Sequence, residues 1–490
     1  MIDTKALRSR ILDLAIQGKL TEQLPSDGTA EELYQQIQAE KQALIKEGKI
    51  KKEKPLPEIS ADEIPFEIPN NWKWTRLGEI CLQITDGTHR TPTYIEEGVP
   101  FLSVKNISSG FLDFSDIKHI SVEEHSELIK RCKPEKDDIL ICRIGTLGKA
   151  IIIDTCEAFS IFVSLGLIKT GNRLLSEYVV DSVNSGFGKL WIQEHKAVGA
   201  MHADKINLTD LNNMLIPLPP LAEQKRIVER VEEIFRLLDT IDQAQEKYSA
   251  DSQILKAKLI TAGIQGKLTK QLPSDGTAEE LYQQIQAEKQ KLIKEGKIKK
   301  EKPLPEITAD EIPFDIPDNW KWVMWGEITN VVSARRVHQS DWKKEGIPFY
   351  RAREIDRLAE NGFVENELYI SEELFEEFSK SGVPHTGDLM LSAVGTLGKA
   401  YIVKENDKFY YKDASVLCVE NIGKIIPEFL IYVLKSDMML KQIQSNSGGT
   451  TVDTLTMVRM IKYLCPLPPL AEQKRIADVL ERALGEIDKG

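Results

Sequence analysis

Along the middle of the chain, apolar residues recur at alternating intervals of four and three. They fall at Ile227, Val231, Ile234, Leu238 and Ile241, then at Tyr248, Leu255, Leu259 and Ala262, with Gln245 and Ser252 filling the register between them. This is the seam of a heptad helix. Pro219 and Pro220 stand before it and Gly266 offers a C-terminal cap. About 40 residues of α-helix span about 60 Å, a length that suits a spacer between two objects or an oligomerisation stalk. The same seam returns at Ile476, Leu480, Ala483 and Ile487, where the chain runs out at Gly490. At the other end, Leu7, Ile11 and Leu14 fall on the positions of Leu255, Leu259 and Ala262. The C-terminal helix therefore reads as the first half of the central one and the N-terminal helix as its second half. Such a repeat is circular. It predicts a pseudo-two-fold molecule with adjoining termini.

The remainder of the chain carries the same duplication. The stretch Pro217-Leu-Pro-Pro-Leu-Ala-Glu-Gln-Lys-Arg-Ile227 recurs as Pro466 to Ile476. Leu20–Trp74 and Leu268–Trp322 differ only at Glu22/Lys270, Ala43/Lys291, Ser60/Thr308, Glu67/Asp315 and Asn70/Asp318. Within each copy, Thr29-Ala-Glu-Glu32 and its repeat at Thr277 form a capping box opening a short helix, which ends near Gly48 and Gly296. A Lys- and Pro-rich run from Lys49 to Pro69 then reads as an extended connector, its lysines either solvated or facing phosphate. Between the repeats lie two regions, about 76–216 and 324–465, made of short β-like runs broken by Gly, Pro and Asn. Their sequences differ, yet both keep a skeleton: Gly98-Val-Pro-Phe101 with Gly145-Thr-Leu-Gly-Lys-Ala150, and Gly346-Ile-Pro-Phe349 with Gly395-Thr-Leu-Gly-Lys-Ala400. The expected class is α+β. The expected segments are an N-terminal helical part over 1–54, a β-rich domain with its connector over 55–216, a helical spacer over 217–302, a second β-rich domain over 303–465 and a C-terminal helix over 466–490. Constant spacers carrying two variable globules fit a recognition device better than a catalyst.

Composition changes this picture little. The formal charge of −12 is a mild argument against nucleic acid, but a whole-chain sum hides a basic face. Six scattered cysteines form no Cys-x-x-Cys pair, as expected of reduced thiols in the cytoplasm. Met1 to Lys19 is amphipathic and charged rather than a signal peptide, and no apolar run is long enough to span a membrane. Gly145-Thr-Leu-Gly-Lys149 lacks both the gap between glycines and the hydroxyl residue of a phosphate loop, since Ala150 follows the lysine. A tight turn between strands is the better reading. Seven histidines show no metal-ligand spacing. No catalytic residue, metal site or cofactor loop is nominated.

The paired Pro-Leu-Pro-Pro-Leu-Ala-Glu-Gln-Lys-Arg-Ile stretches, the Gly-Lys-Ile-Lys-Lys-Glu-Lys-Pro-Leu-Pro connectors, Asp86-Gly-Thr-His-Arg-Thr-Pro92 and Gly98-Val-Pro-Phe101 resemble the DNA-specificity subunit of type I restriction–modification systems. The resemblance covers essentially the whole chain. It implies two target-recognition domains that each read one half of a split site in double-stranded DNA. It also implies long helices that pair as an antiparallel coiled coil, hold the domains apart and dock methyltransferase subunits, two of them, with restriction/translocase subunits joining through the complex. In that family the specificity subunit is not itself catalytic, and S-adenosylmethionine, ATP and Mg belong to the partner subunits. One departure is that Ser333-Ala-Arg-Arg-Val-His338 stands where the first half has Asp86-Gly-Thr-His-Arg90, so the two domains should read different bases. The alternatives are a coiled-coil scaffold with two protein-binding modules, or an enzyme with unfamiliar motifs.

Polar and basic residues near turns of the variable regions are the DNA-facing candidates, with ordinary surface exposure as the alternative for each. In the first region they are Thr88, His89, Arg90, Thr91, Lys105, Asn106 and Lys149, with His202 and Lys205 on a later loop. In the second they are Arg335, Arg336, His338, Arg351, Arg353, Lys399, Thr450 and Thr451. Lys105 and Arg353 hold equivalent places after the Gly-x-Pro-Phe segments.

Overall fold

The computed structural model describes every residue except 53, 199–203, 380–382, 394–398, 446–454 and 490. The chain divides into two compact units, Met1–Glu246 and Lys247–Gly490.

Among the described residues of the first unit, short strands run between the helices: β1 (Lys73–Arg76), β2 (Gln83–Asp86), β3 (Val99–Leu102), β4 (Lys118–Ile120), β5 (Ile139–Cys142), β6 (Ala150–Ile152), β7 (Ser160–Ile161), β8 (Leu165–Lys169), β9 (Ala197–Val198), β10 (Asp204–Lys205) and β11 (Leu215–Leu218). Strands β2-β8-β5-β6 form an antiparallel sheet; β4-β3-β7 form a second, in which β3 and β7 are parallel; β1 pairs with β11 and β9 with β10. The run Ile139-Leu-Ile-Cys142 is buried throughout because β5 has a strand on each side and apolar layers on both faces. Successive side chains of a strand point to opposite faces. Ile139 and Ile141 accordingly join a cluster with Tyr178, Val179 and Trp72. Leu140 and Cys142 join another with Leu102, Ile107 and Ile161.

The second unit repeats this topology. Its strands are β12 (Lys321–Met324), β13 (Asn330–Val332), β14 (Ile347–Tyr350), β15 (Tyr369–Ile370), β16 (Leu389–Ser392), β17 (Ala400–Ile402), β18 (Tyr410–Tyr411), β19 (Val416–Glu420) and β20 (Leu464–Leu467). The orders β13-β19-β16-β17, β15-β14-β18 and β12-β20 copy those of the first unit. Leu389 and Leu391 face one cluster and Met390 the other, as in β5. The mixed helix and strand content makes the fold α+β, as expected.

The duplicated Ala-Glu-Gln-Lys-Arg stretch is a docking station for the duplicated Thr-Glu-Gln-Leu-Pro-Ser-Asp or Thr-Lys-Gln-Leu-Pro-Ser-Asp segment. Glu223 is fully buried at the start of the central helix Leu221–Ile264. Its carboxylate accepts from Trp72 Nε1 at 2.8 Å, Gln23 Nε2 at 2.5 Å and Thr21 Oγ1 at 3.1 Å. Gln224 donates to the Pro219 carbonyl at 2.9 Å, and Arg226 makes a two-pronged pair with Asp27 at 2.7 and 2.6 Å. The second unit repeats every contact. Glu472 accepts from Trp320, Gln271 and Thr269 at 2.9, 2.8 and 2.9 Å, and Arg475 pairs with Asp275 at 3.0 and 2.6 Å. A buried carboxylate needs such donors, which explains why several separated residue types are repeated together.

Helices pair antiparallel within each unit. In the first, the N-terminal helix Thr4–Ile16 lies along the first half of the central helix. Thr4 Oγ1 reaches Asp242 at 2.5 Å, Arg8 reaches Asp239 at 2.7 Å, and Leu12 and Ala15 share the buried cluster of Ile227, Val228 and Val231. In the second unit, the C-terminal helix Leu470–Lys489 meets the other half of the central helix. A Cβ on Gly263 would stand 2.9 Å from Leu480 Cδ1, and Lys256 pairs with Asp488.

The seam is corrected at one end of each pair. Ile227, Val231, Leu238, Ile476 and Leu480 are buried, and Ile11, Leu14, Ile234, Ile241, Leu259 and Ile487 are partly buried. Leu7 and Leu255, expected on the seam, are 41% and 47% exposed; the buried residues there are Leu12, Ala15 and Ile16, and Ile260 and Ile264. The reason is helical pitch. A strict heptad assumes 3.5 residues per turn, whereas a straight helix has about 3.6. Six turns on from Leu238 the same face therefore carries position 260 rather than 259.

Candidate nucleic-acid interface

Strand β2 ends at Asp86, which is buried at the foot of the loop carrying Thr88, His89, Arg90 and Thr91. Gly87 must follow it, because a Cβ there would stand 2.1 Å from the Ile161 carbonyl oxygen. Asp86 accepts from Arg143, which is buried, and from Arg131, which is half exposed; His89 Nε2 lies 3.0 Å from the same carboxylate. Arg143 in turn donates to the Ile206 carbonyl at 3.1 Å, and Arg131 to that of Gly87 at 3.2 Å. Ile144 pairs with Lys205 of β10, and the backbone of Thr88 pairs with Phe162. Three nominated segments thus converge on one ion cluster whose centre, Asp86 and Arg143, is buried: the 86–92 loop, the 144–149 turn and strand β10. Arg90 is exposed. Its backbone N–H donates to Thr88 Oγ1 at 3.2 Å, while its guanidinium is without a partner among the described residues.

Lys105 is exposed and pairs with Asp116 at 2.6 Å. Asn106 requires correction. It is buried, its Oδ1 accepts from Ser103 N–H at 2.9 Å, and its Nδ2 donates to the carbonyls of Asp113 and Asp116 at 3.1 and 3.0 Å. With its amide spent on closing the 103–116 loop, it shapes the surface rather than contacting a ligand. The side chain of Lys149 lies over Gly110, where a Cβ would stand 2.9 Å from its Nζ.

The second unit builds the same place differently. Strand register puts Asn330 opposite Glu420 as Gln83 stands opposite Lys169. Ser333 therefore takes the position of Asp86, and Ala393 that of Arg143: the Ala393 carbonyl accepts from Leu455 as that of Arg143 accepts from Ile206, at 2.9 Å in both. Among the described residues no such ion cluster stands at this place. Instead, Arg335 N–H donates to Tyr410 Oη at 2.9 Å, its guanidinium sits 4.3 Å over the Phe378 ring, and it pairs with Glu377 at 3.2 Å. Arg336 and His338 are exposed on the same loop. Arg351 and Arg353 gather around Glu354, at 2.8 and 3.0 Å, and Arg353 also meets Glu367 at 2.7 Å. Burial would raise the Glu354 carboxyl, but hydrogen bonds from the Arg351 side chain and backbone and from Arg353 outweigh it and hold the group down to about 2. Lys399 pairs with Glu360. His202, Thr450 and Thr451 lie outside the described residues.

Sequence reasoning missed Arg131 and Arg143. Arg131 sits in no repeated or Gly-rich segment, and Arg143, two residues before the repeated Gly145 stretch, has Ala393 as its counterpart; only pairing of β5 with β8, and of β8 with β2, brings Arg143 to Asp86. Among the described residues no group of His, Cys, Asp and Glu could hold a metal ion, and no helix is long and apolar enough to cross a membrane.

The model of the type I restriction modification DNA specificity domain matches this chain twice, over residues 69–247 and 317–490. The chain belongs to that family. Its role is that of a DNA-specificity subunit. The type I restriction enzyme EcoEI specificity subunit of Escherichia coli is 32% identical, in an alignment covering 97% of this chain and 88% of that one. The EcoAI specificity subunit, also of Escherichia coli, is 28% identical over 99% and 90%. Among solved structures, a chain from work on complex assembly and conformational transition of the type I R-M system superposes with a TM-score of 0.59 at 19% identity, covering 87% of this chain and 93% of that one. The HsdS subunit from Thermoanaerobacter tengcongensis gives a TM-score of 0.50 at 19% identity, over 87% and 92%. At such identity the two structures speak for the fold alone.

Proposed function

We propose that each β-rich domain of this specificity subunit reads one half of a split DNA site and that the chain performs no chemistry of its own. The observation that carries this reading is the contrast between constant and divergent contacts. The Glu223 and Glu472 carboxylates accept from the same three donor types in the two units, whereas the equivalent loop feet carry Asp86 with Arg143 in one domain and Ser333 with Ala393 in the other. A duplicated catalyst would keep its loops and vary its supports. Bases are read by side chains in the grooves while phosphates fix register, so two different loop sets imply two different half-sites. The first set is Thr88, His89, Arg90, Thr91, Lys149 and Lys205 together with Arg131; the second is Arg335, Arg336, His338, Arg351, Arg353 and Lys399. Methyltransferase subunits, two per chain, supply S-adenosylmethionine chemistry, and restriction/translocase subunits supply ATP- and Mg-dependent steps, all in the cytoplasm. The chain itself takes no cofactor.

The test is domain replacement. The chain is co-expressed with its methyltransferase partner, and methylated positions are mapped across the genome. Replacing 324–465 by the equivalent region of another family member should change one half of the methylated motif and leave the other intact. Change in both halves would refute separate reading.

A further inference from the structure

The connection between β3 and β4 and its equivalent between β14 and β15 have different lengths and different secondary structure. The first is a short turn through Val104–Asn106; the second holds the helix Ala352–Asn361. Both nevertheless contain the same four-residue pattern, Gly110-Phe-Leu-Asp113 and Gly362-Phe-Val-Glu365, a few residues before the next strand. Both glycines have positive φ, 101° and 73°, a conformation that turns the following residue away from the domain at little cost only for glycine. Leu112 and Val364 then pack against their domains' clusters. Phe111 and Phe363 point outward, 63% and 69% exposed. One exposed aromatic ring is ordinary on a protein surface. Two at the same point of two diverged domains, reached by different backbone routes, call for a common partner.

The surroundings indicate its chemistry. Lys149 lies against Gly110, and Lys105 is the middle residue of the Val104–Asn106 turn, from which Asn106 reaches the Asp113 carbonyl. In the second domain Lys399 pairs with Glu360 in the turn before Gly362, and Arg357 is exposed on the same helix. The pairs of Lys105 and Lys399 are solvent-facing and so contribute little; a phosphate can replace their carboxylates. An apolar ring flanked by exchangeable cations matches the way proteins insert a wedge beside a base step while neighbouring cations hold the backbone.

Resting on the half-site reading above, we infer that Phe111 and Phe363 are apolar DNA contacts, one per half-site, each pressed into a groove against a base step that it partly unstacks. The ligand is the base stack of duplex DNA, with Lys105 and Lys149, or Arg357 and Lys399, on the adjoining phosphates.

The test uses the full chain in complex with its methyltransferase partner and duplexes carrying the methylated site, with 2-aminopurine placed in turn at steps in and beside each half-site. Phe111→Ala and Phe363→Ala change only exposed side chains, so thermal midpoints should match the unaltered complex. The unaltered complex should raise 2-aminopurine fluorescence at one step per half-site. Phe111→Ala should abolish the rise in one half-site only and weaken specific binding about tenfold. Its salt slope should stay unchanged, because no charge is removed. Phe363→Ala should do the same in the other half-site. A sequence-specific unaltered complex whose two variants keep affinity and fluorescence would overturn this inference alone. Loss of co-purification with the methyltransferase, with DNA contacts intact, would also overturn it and assign the rings to a protein interface. An unaltered complex with no sequence preference would overturn the half-site reading beneath it.

Discussion

At the scale of single residues, Asp86 carries the most. It holds Arg143, Arg131 and His89 together, and removing it leaves Arg143 as a buried cation without its carboxylate. Breaking a buried pair from one side costs about 3 kcal/mol. Asp86→Ala should therefore lower the unfolding free energy by about that amount in chemical denaturation and erase one half of the methylated motif. The double change Asp86→Ser with Arg143→Ala copies Ser333 and Ala393. It should regain most of the stability, as paired removal of buried charges does, without regaining specificity. Glu354 gives a pH prediction. Its folded-state value, about 2, lies below the ordinary 4.5. A depressed carboxyl contributes stability that is present above the unfolded value and lost as pH falls through the folded one. Acid titration of the melting midpoint should show a loss between pH 4.5 and about 2, and that loss should shrink in Arg351→Ala.

At the scale of elements, helix pairing is read off position by position. Leu255 is exposed and Ile260 buried. Leu255→Gln should change stability by no more than about 0.5 kcal/mol, whereas Ile260→Ala should cost about 2–4 kcal/mol. The opposite ranking in denaturant titrations would restore the strict heptad. Gly263 stands where the first unit has Ala15 and faces Leu480 and Ile476 of the C-terminal helix. Gly263→Ala gains up to about 1 kcal/mol of helix propensity but should stabilise by less than that, since its new Cβ would stand 2.9 Å from the movable end of Leu480 and 3.3 Å from Cγ2 of the buried Ile476. Gly263→Leu should cost about 2 kcal/mol by overpacking.

At the scale of the whole molecule, the two units carry separate large apolar clusters, one from Leu12 to Val231 and the other from Ile264 to Leu480. A lesion at one docking station should stay in its own unit. Glu223→Ala strands three donors, those of Trp72, Gln23 and Thr21, at about 1–3 kcal/mol for each donor that stays buried. Hydrogen-exchange mass spectrometry should show faster exchange across 1–246 and unchanged protection across 247–490. The mirror change Glu472→Ala should reverse the pattern.

Duplication was legible because it is a property of sequence order. The paired Ala-Glu-Gln-Lys-Arg stretches, the capping boxes at Thr29 and Thr277 and the heptad spacing are local, and local patterns report helices and repeats directly. The family was legible for the same reason. What they are for inside the fold was not: Glu223 reads as a surface residue of a charged helix until Trp72, 151 positions away, is folded against it. The candidate interface shows the same limit. Arg90 and Arg336 could be named from turn-rich segments, but Asn106 could not be told from its exposed neighbour Lys105, nor Arg143 found at all. Burial and charge pairing depend on strands far apart in the chain, and a heptad count cannot tell 3.5 residues per turn from 3.6 until the partner helix is in place. Sequence alone determined the repeat, the helices and the kind of protein; tertiary structure decided which charges are buried supports and which stand exposed, because desolvation is a property of the packed chain.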